Sequence, residues 1–123
     1  MANEIQVSAY LGFSKDGNTG QRNVGLRKFT MTGNLHADHE QSVGITEEAL
    51  RLGDIAGASL GFCLIENLDA TNFVSLRRAT GESDFMKIKA GEFCLFRFDA
   101  DATAPFIIAD TAAVRIRVFL LEN

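Results

Sequence analysis

The chain has 123 residues, 46% hydrophobic and 23% charged, which is enough for one domain with a core and too few for two ordinary ones. A net charge of −4 and a pI near 5.1 argue against a nucleic-acid binder, which presents a net basic face. No apolar run is long enough to span a bilayer, and Met1 to Glu4 does not begin a secretory signal, so no membrane partner is expected.

The first element is the clearest. Ile5, Val7, Ala9, Leu11 and Phe13 alternate with polar or small residues, which is the period of a half-buried strand. Lys15 to Gly20 reads as an exposed turn. A second strand is expected from Val24 to Thr32, with Val24 and Leu26 on one face and Phe29 and Met31 on the other. Apolar residues on both faces predict a strand covered twice, or one that meets a neighbouring subunit. Asn34 to Gln41 is polar and poorly periodic, and reads as a loop.

Thr46 to Gly53 has an N-cap residue, acidic residues in its first turn and a glycine stop. It reads either as a helix of about two turns, too short to stand without packing, or as an irregular edge segment. From Gly57 onward, short apolar runs are cut by turns at close intervals. They are Leu60–Ile65, Phe73–Leu76, Phe85–Ile88, Phe93–Phe98, Phe106–Ile108 and Val114–Leu121. Close strands without helices between them predict an antiparallel sandwich or barrel, about eight strands in all. Phe62, Leu64, Phe93, Leu95, Val114, Ile116 and Val118 are the expected core. Cys63 and Cys94 lie inside apolar runs and read as reduced core thiols.

Chemistry-bearing motifs are sparse. His36-Ala37-Asp38-His39-Glu40 is the one cluster of metal-ligand residue types, and it could hold a divalent ion if the segment were a helical turn. A third strong ligand is not fixed by the spacing, and a solvated loop is the simpler reading. No nucleophile elbow, P-loop or dinucleotide fingerprint is present. Arg77-Arg78, Lys87/Lys89 and Arg115/Arg117 are basic pairs; the last two, at i, i+2 spacing, read either as a surface for an acidic partner or as a solvated sheet face. No enzymatic activity and no cofactor are expected.

A resemblance carries the reading further. Asn67-Leu68-Asp69-Ala70-Thr71-Asn72-Phe73-Val74, Lys89-Ala90-Gly91-Glu92-Phe93 and Ala109-Asp110-Thr111-Ala112-Ala113-Val114 occur in that order. Together they resemble small virion proteins of tailed bacteriophages, over Gly57 to Asn123. The resemblance implies a single jelly-roll-like antiparallel β-sandwich over residues 1–123, with at most one short helix. It implies a head decoration or cement protein on the capsid surface, made in the host bacterial cytoplasm. Its partners would be the major capsid protein and further copies of itself, as a dimer or trimer.

A tail, baseplate or receptor-binding role is the alternative, and only Tyr10 and the Asp99 to Asp101 loop hint at carbohydrate. Exposed termini and loops make Met1, Ala2, Asn3, Glu4, Lys15, Asp16 and Asn18 the first candidates for partner contact. Phe29 and Met31 are the candidates for self-association.

Overall fold

The structure is a computed structural model that describes residues 3–99 and 105–123. Ten strands and one 3-10 turn, Gly57–Ser59, make up its regular elements among the described residues. The chain divides into two compact units, residues 1–32 and 33–123.

The first unit is a hairpin of β1 (Ile5–Lys15) and β2 (Asn18–Phe29), paired antiparallel. Its turn is Asp16-Gly17, both with positive φ (51° and 79°), the twist that matches two right-handed strands. The register shifts between Val7 and Ala9, leaving Gly25 and Leu26 opposite Ser8. That bulge corrects the expected faces of β2. Val24 pairs with Ala9 and Phe29 with Ile5, so both lie on the face of the period-two apolar row.

The second unit is a sandwich of two four-stranded antiparallel sheets. Its strands are β3 (His36–Val43), β4 (Glu48–Ala49), β5 (Leu60–Asn67), β6 (Val74–Arg77), β7 (Met86–Ile88), β8 (Phe93–Arg97), β9 (Phe106–Ala109) and β10 (Val114–Glu122). One sheet runs β3-β10-β5-β8 and the other β4-β9-β6-β7. Counted from the first sandwich strand, the first sheet takes strands one, eight, three and six. The second takes two, seven, four and five. This interleaving is the double Greek key of a jelly roll.

The core is one cluster between the sheets. Val43, Val114, Ile116, Val118, Leu120, Cys63 and Ile65 face Val74, Leu76, Ile88, Ile107 and Ala109. Strand β10 reads directly from sequence, since Val114, Ile116, Val118 and Leu120 point in while Arg115, Arg117 and Phe119 point out. On β5 and β8 the expected core face is reversed. Cys63 and Ile65 pair with Leu120 and Val118 and face inward. Leu64 pairs with Phe119 and Leu95, so it shares their outward face. Phe93 is 68% exposed and Leu95 40%, while Phe62 and Leu64 are half-buried. Both faces of β5 are apolar, so its own composition does not choose between them. The alternation of β10, unambiguous because of its arginines, settles the choice through the ladder.

Two other segments depart from expectation. The segment read as a polar loop is strand β3, antiparallel to β10 from Val43 opposite Val114 to His36 opposite Leu121. Its inward positions are Ala37, His39, Gln41 and Val43, and its polar character hides their alternation. The segment read as a helix or edge carries the two-residue edge strand β4. Buried Gln41 accounts for this. Its Nε2 donates to Glu48 Oε1 (3.0 Å) and the Ala49 carbonyl (3.1 Å), and its Oε1 accepts from Arg51 N (3.0 Å). Leu50 N donates to the Pro105 carbonyl at 2.9 Å. These bonds to other strands use backbone groups that a helix would need, and two turns of helix are too weak alone to compete.

Among the described residues, no helix is long and apolar enough to cross a membrane.

Candidate interaction surfaces

The hairpin leaves one apolar face open. Across that face run Ile5, Val7, Ala9, Leu11 and Phe13 from β1, opposite Phe29, Arg27, Val24, Arg22 and Gly20 from β2. Ile5 is buried, but Leu11 is 79% exposed and Phe13 59%. The Phe13 ring lies over Gly20, where an added Cβ would come within 2.9 Å of it. The opposite face is polar, and there the Tyr10 hydroxyl donates to Gln21 Oε1 at 3.0 Å. A two-stranded ribbon is marginal in water by itself, and stability requires that an apolar face be covered. Leu11 and Phe13 thus stand exposed on neighbouring pairs of one face, an arrangement uncommon on a closed surface.

A second surface lies on the sandwich. The outer face of the β3-β10-β5-β8 sheet carries two cross-strand rows. One is Asp38, Phe119, Leu64 and Leu95, and the next is Glu40, Arg117, Glu66 and Phe93. Phe119, Leu64, Leu95 and Phe93 thus make a contiguous apolar patch, joined by Phe62 on the next row beside Arg97. Its charged rim is ordered. Arg115 pairs with Glu40 at 3.1 Å and Arg117 with Asp38 at 3.3 Å, which holds the Arg117 guanidinium above its ordinary pKa. The Arg97 guanidinium sits 4.6 Å from the Phe62 ring centre, and its Nη1 donates to Asn123 Oδ1 at 2.8 Å.

The structure places the sequence candidates as follows. Asn3 and Glu4 are exposed, and Glu4 Oε1 accepts from Met31 N at 3.1 Å, so the start and end of the hairpin are tied. Lys15, Asp16 and Asn18 are exposed at the hairpin turn. Phe29 is 41% exposed on the apolar face, and Met31 is half-buried. Met1 and Ala2 lie outside the described residues, as does Asp101 of the carbohydrate-hinting loop. Phe62, Leu64, Phe93 and Leu95, expected in the core, instead form this outer patch with Phe119. A signal existed: Arg115, Arg117 and Phe119 alternate with β-branched residues, so a face carrying Phe119 had to be the outer one.

The basic pairs resolve locally. Arg115 and Arg117 find their acidic partners in β3 of the same chain. Arg77 donates to Asp84 Oδ1 (2.5 Å) and Glu47 Oε2 (2.7 Å). Glu47 also accepts from the Thr80 hydroxyl and from Gly81 N. Together, first the Thr80 hydroxyl and then Arg77 and Gly81, these donors pull the Glu47 carboxyl down to about 2. This clasp ties the segment before β4 to the β6–β7 loop. Lys87 Nζ stands 4.2 Å from the centre of the Phe73 ring.

The histidine cluster does not assemble as a ligand set. His36 faces outward, its ring edge-on to Phe119 at 6.2 Å, and His39 faces inward, as strand alternation requires. Among the described residues, no group of three or more His, Cys, Asp or Glu could hold a metal ion. Cys63 and Cys94 are free thiols on the inner face. Burial, then the nearby Cys94 sulfur, pushes Cys63 up to about 12, and burial pushes Cys94 to about 11.

The three phrases of the phage resemblance meet at one end of the sandwich. Buried Asn67 donates from Nδ2 to the Asn72 carbonyl (2.9 Å) and the Ile88 carbonyl (3.0 Å), and its Oδ1 accepts from Asp69 N (2.8 Å). Asp69 Oδ2 accepts from Asn72 N and Thr71 N, which lowers its pKa. Asn67 N donates to the Glu92 carbonyl at 2.9 Å, joining the second phrase. The Thr111 hydroxyl donates to Asn72 Oδ1, and Asp110 N to the Phe73 carbonyl, each at 3.0 Å, joining the third. These residues hold three loops together. No family model matches the chain, and no curated protein or solved structure matches it either.

Proposed function

We propose that this chain is a structural protein of a tailed-bacteriophage virion, a head decoration or cement protein that binds major capsid subunits without catalysing a reaction. The observation that carries the proposal is a pair of uncovered apolar faces, on the hairpin and on the outer sheet, in a chain otherwise closed by a jelly-roll core. Faces of this kind belong to a subunit that finishes burying its surface by assembly. The three-phrase resemblance supplies the virion setting, with the capsid surface as the location and the host cytoplasm as the place of synthesis.

The physics of such a role is repetition. Each contact is modest, but many copies on a symmetric lattice add up through avidity. Self-association as a dimer or trimer would let one decoration unit bridge several capsid subunits. The test is a particle made without this protein. It should assemble and then lose resistance to heat or osmotic shock. Particles that stay as robust but fail to adsorb to host cells would replace this reading with a tail or receptor-binding one.

A further inference from the structure

We propose that the apolar face of the hairpin of one copy docks on the outer face of the β3-β10-β5-β8 sheet of a second copy. Charge selects this pairing over the alternatives. Residues 1–32 hold four basic residues (Lys15, Arg22, Arg27, Lys28) and two acidic ones (Glu4, Asp16), a net charge of +2. The whole chain is −4, so residues 33–123 carry −6. One copy's hairpin is therefore attracted to another copy's sandwich, and two hairpins repel each other.

The local arrangement agrees with the net charges. Arg22 and Arg27 stand on the apolar face of the hairpin, opposite Leu11 and Val7, and no paired position of that face is acidic. Stacking two such faces would desolvate four guanidiniums with no carboxylate between them, which is costly. The sheet offers what the hairpin lacks. Arg115, Arg117 and Arg97 are already held by Glu40, Asp38 and Asn123. Glu66, between Arg117 and Phe93 in the ladder, makes no ion pair within 4.0 Å among the described residues and acts on Arg117 only through the weaker field of its charge. It is a carboxylate beside an apolar patch, open to a guanidinium that arrives with leucine and phenylalanine neighbours. A two-strand ribbon laid on three strands of a sheet is ordinary face-to-face packing, about 10 Å between layers.

This interface is heterologous, because each copy offers one hairpin and one sheet face. It closes into a ring where the rotation allows and otherwise extends as a chain. The proposal does not depend on the virion reading, and the purified full-length chain tests it alone. Sedimentation velocity up to about 100 µM, a range that detects ordinary weak interfaces, should show self-association. Leu11→Asp on the hairpin and Phe93→Asp on the sheet should each weaken it at least tenfold. Both side chains are exposed, so the fold should tolerate either change, as circular dichroism will verify. Leu95→Asp repeats the sheet variant at a second position.

The decisive sample is an equimolar mixture of Leu11→Asp and Phe93→Asp. Each chain supplies the half the other has lost, so a one-to-one complex should form where neither variant associates alone. A wild-type chain that stays monomeric overturns the proposal. So does a Phe93→Asp chain that associates like wild type, which would make the hairpin the whole interface, or a mixture that stays monomeric.

Discussion

Truncating Ile65 and Phe93 in parallel measures which face of β5 and β8 is the core. Ile65 is fully buried between Val118 and Cys94 in the ladder. Ile65→Ala removes three carbons, worth roughly 0.8 kcal/mol each in transfer, and leaves a cavity between two sheets that cannot close around it. The sum is about 3–4 kcal/mol, inside the usual range of about 2–5 for such changes. Phe93 is the larger side chain but is 68% exposed. A buried Phe hides roughly 150–250 Å². About a third of that, at roughly 25 cal/mol per Å², is at most about 2 kcal/mol, and the compact unfolded chain lowers it further. The vacated space opens to solvent, so no cavity term is added. Phe93→Ala should therefore cost about 1 kcal/mol. Urea denaturation of the two variants, with unchanged m-values, reads the difference directly. Equal losses, or a loss of 3 kcal/mol or more for Phe93→Ala, would refute the assignment of faces.

Other perturbations probe the polar parts. Asn67→Ala should cost about 2–4 kcal/mol, because one buried carbonyl, one half-buried carbonyl and one half-buried amide lose partners; a change under about 1 kcal/mol would mean the loop cluster holds without it. The Glu47 clasp has a pH signature. Its carboxyl lies at about 2 in the folded chain against 4.5 without its partners, so its stabilisation is complete above about 4.5 and is lost as pH falls towards 2. Acid titration of stability should therefore be shallower in that window for Glu47→Gln than for wild type, and parallel curves would contradict the clasp. Both thiols should react slowly with a thiol reagent at pH 8 in the native state and fully in denaturant, since burial keeps them protonated; a burst of native reactivity would place one of them outside the core.

The strands were legible where a single face had to be apolar. The alternation in β1 and β10 is strict and both are strands, but only β10 buries its apolar face; β1, expected to be half-buried, buries Ile5 alone and leaves Ala9, Leu11 and Phe13 exposed, because its one partner is the other strand of the hairpin. Strand β3 was hidden because two of its four inward positions are His39 and Gln41, a polar row that reads as loop until β10 is seen to pair with it. Strand β4 was hidden by local helix signals that lose to hydrogen bonds with Gln41 on the preceding strand and with Pro105, distant in the chain. The faces of β5 and β8 could not be read alone, since Phe62 and Leu64 compete with Cys63 and Ile65 on equal terms. Two strands and a turn between them were expected, but the bulge at Gly25 that moves Val24 and Phe29 to one face has no strong local signature. The interaction patch was lost with that same ambiguity, because large exposed apolar residues look like core in a sequence.

The central claim is a structural place in a virion, and its most direct measurement is copy number. On the proposed virion reading, quantitative mass spectrometry of purified phage particles would count this chain against the major capsid protein. A lattice-bound decoration should be present at on the order of hundreds of copies per particle. A dozen copies or fewer would place it in the tail, and its absence from purified particles would contradict the account outright.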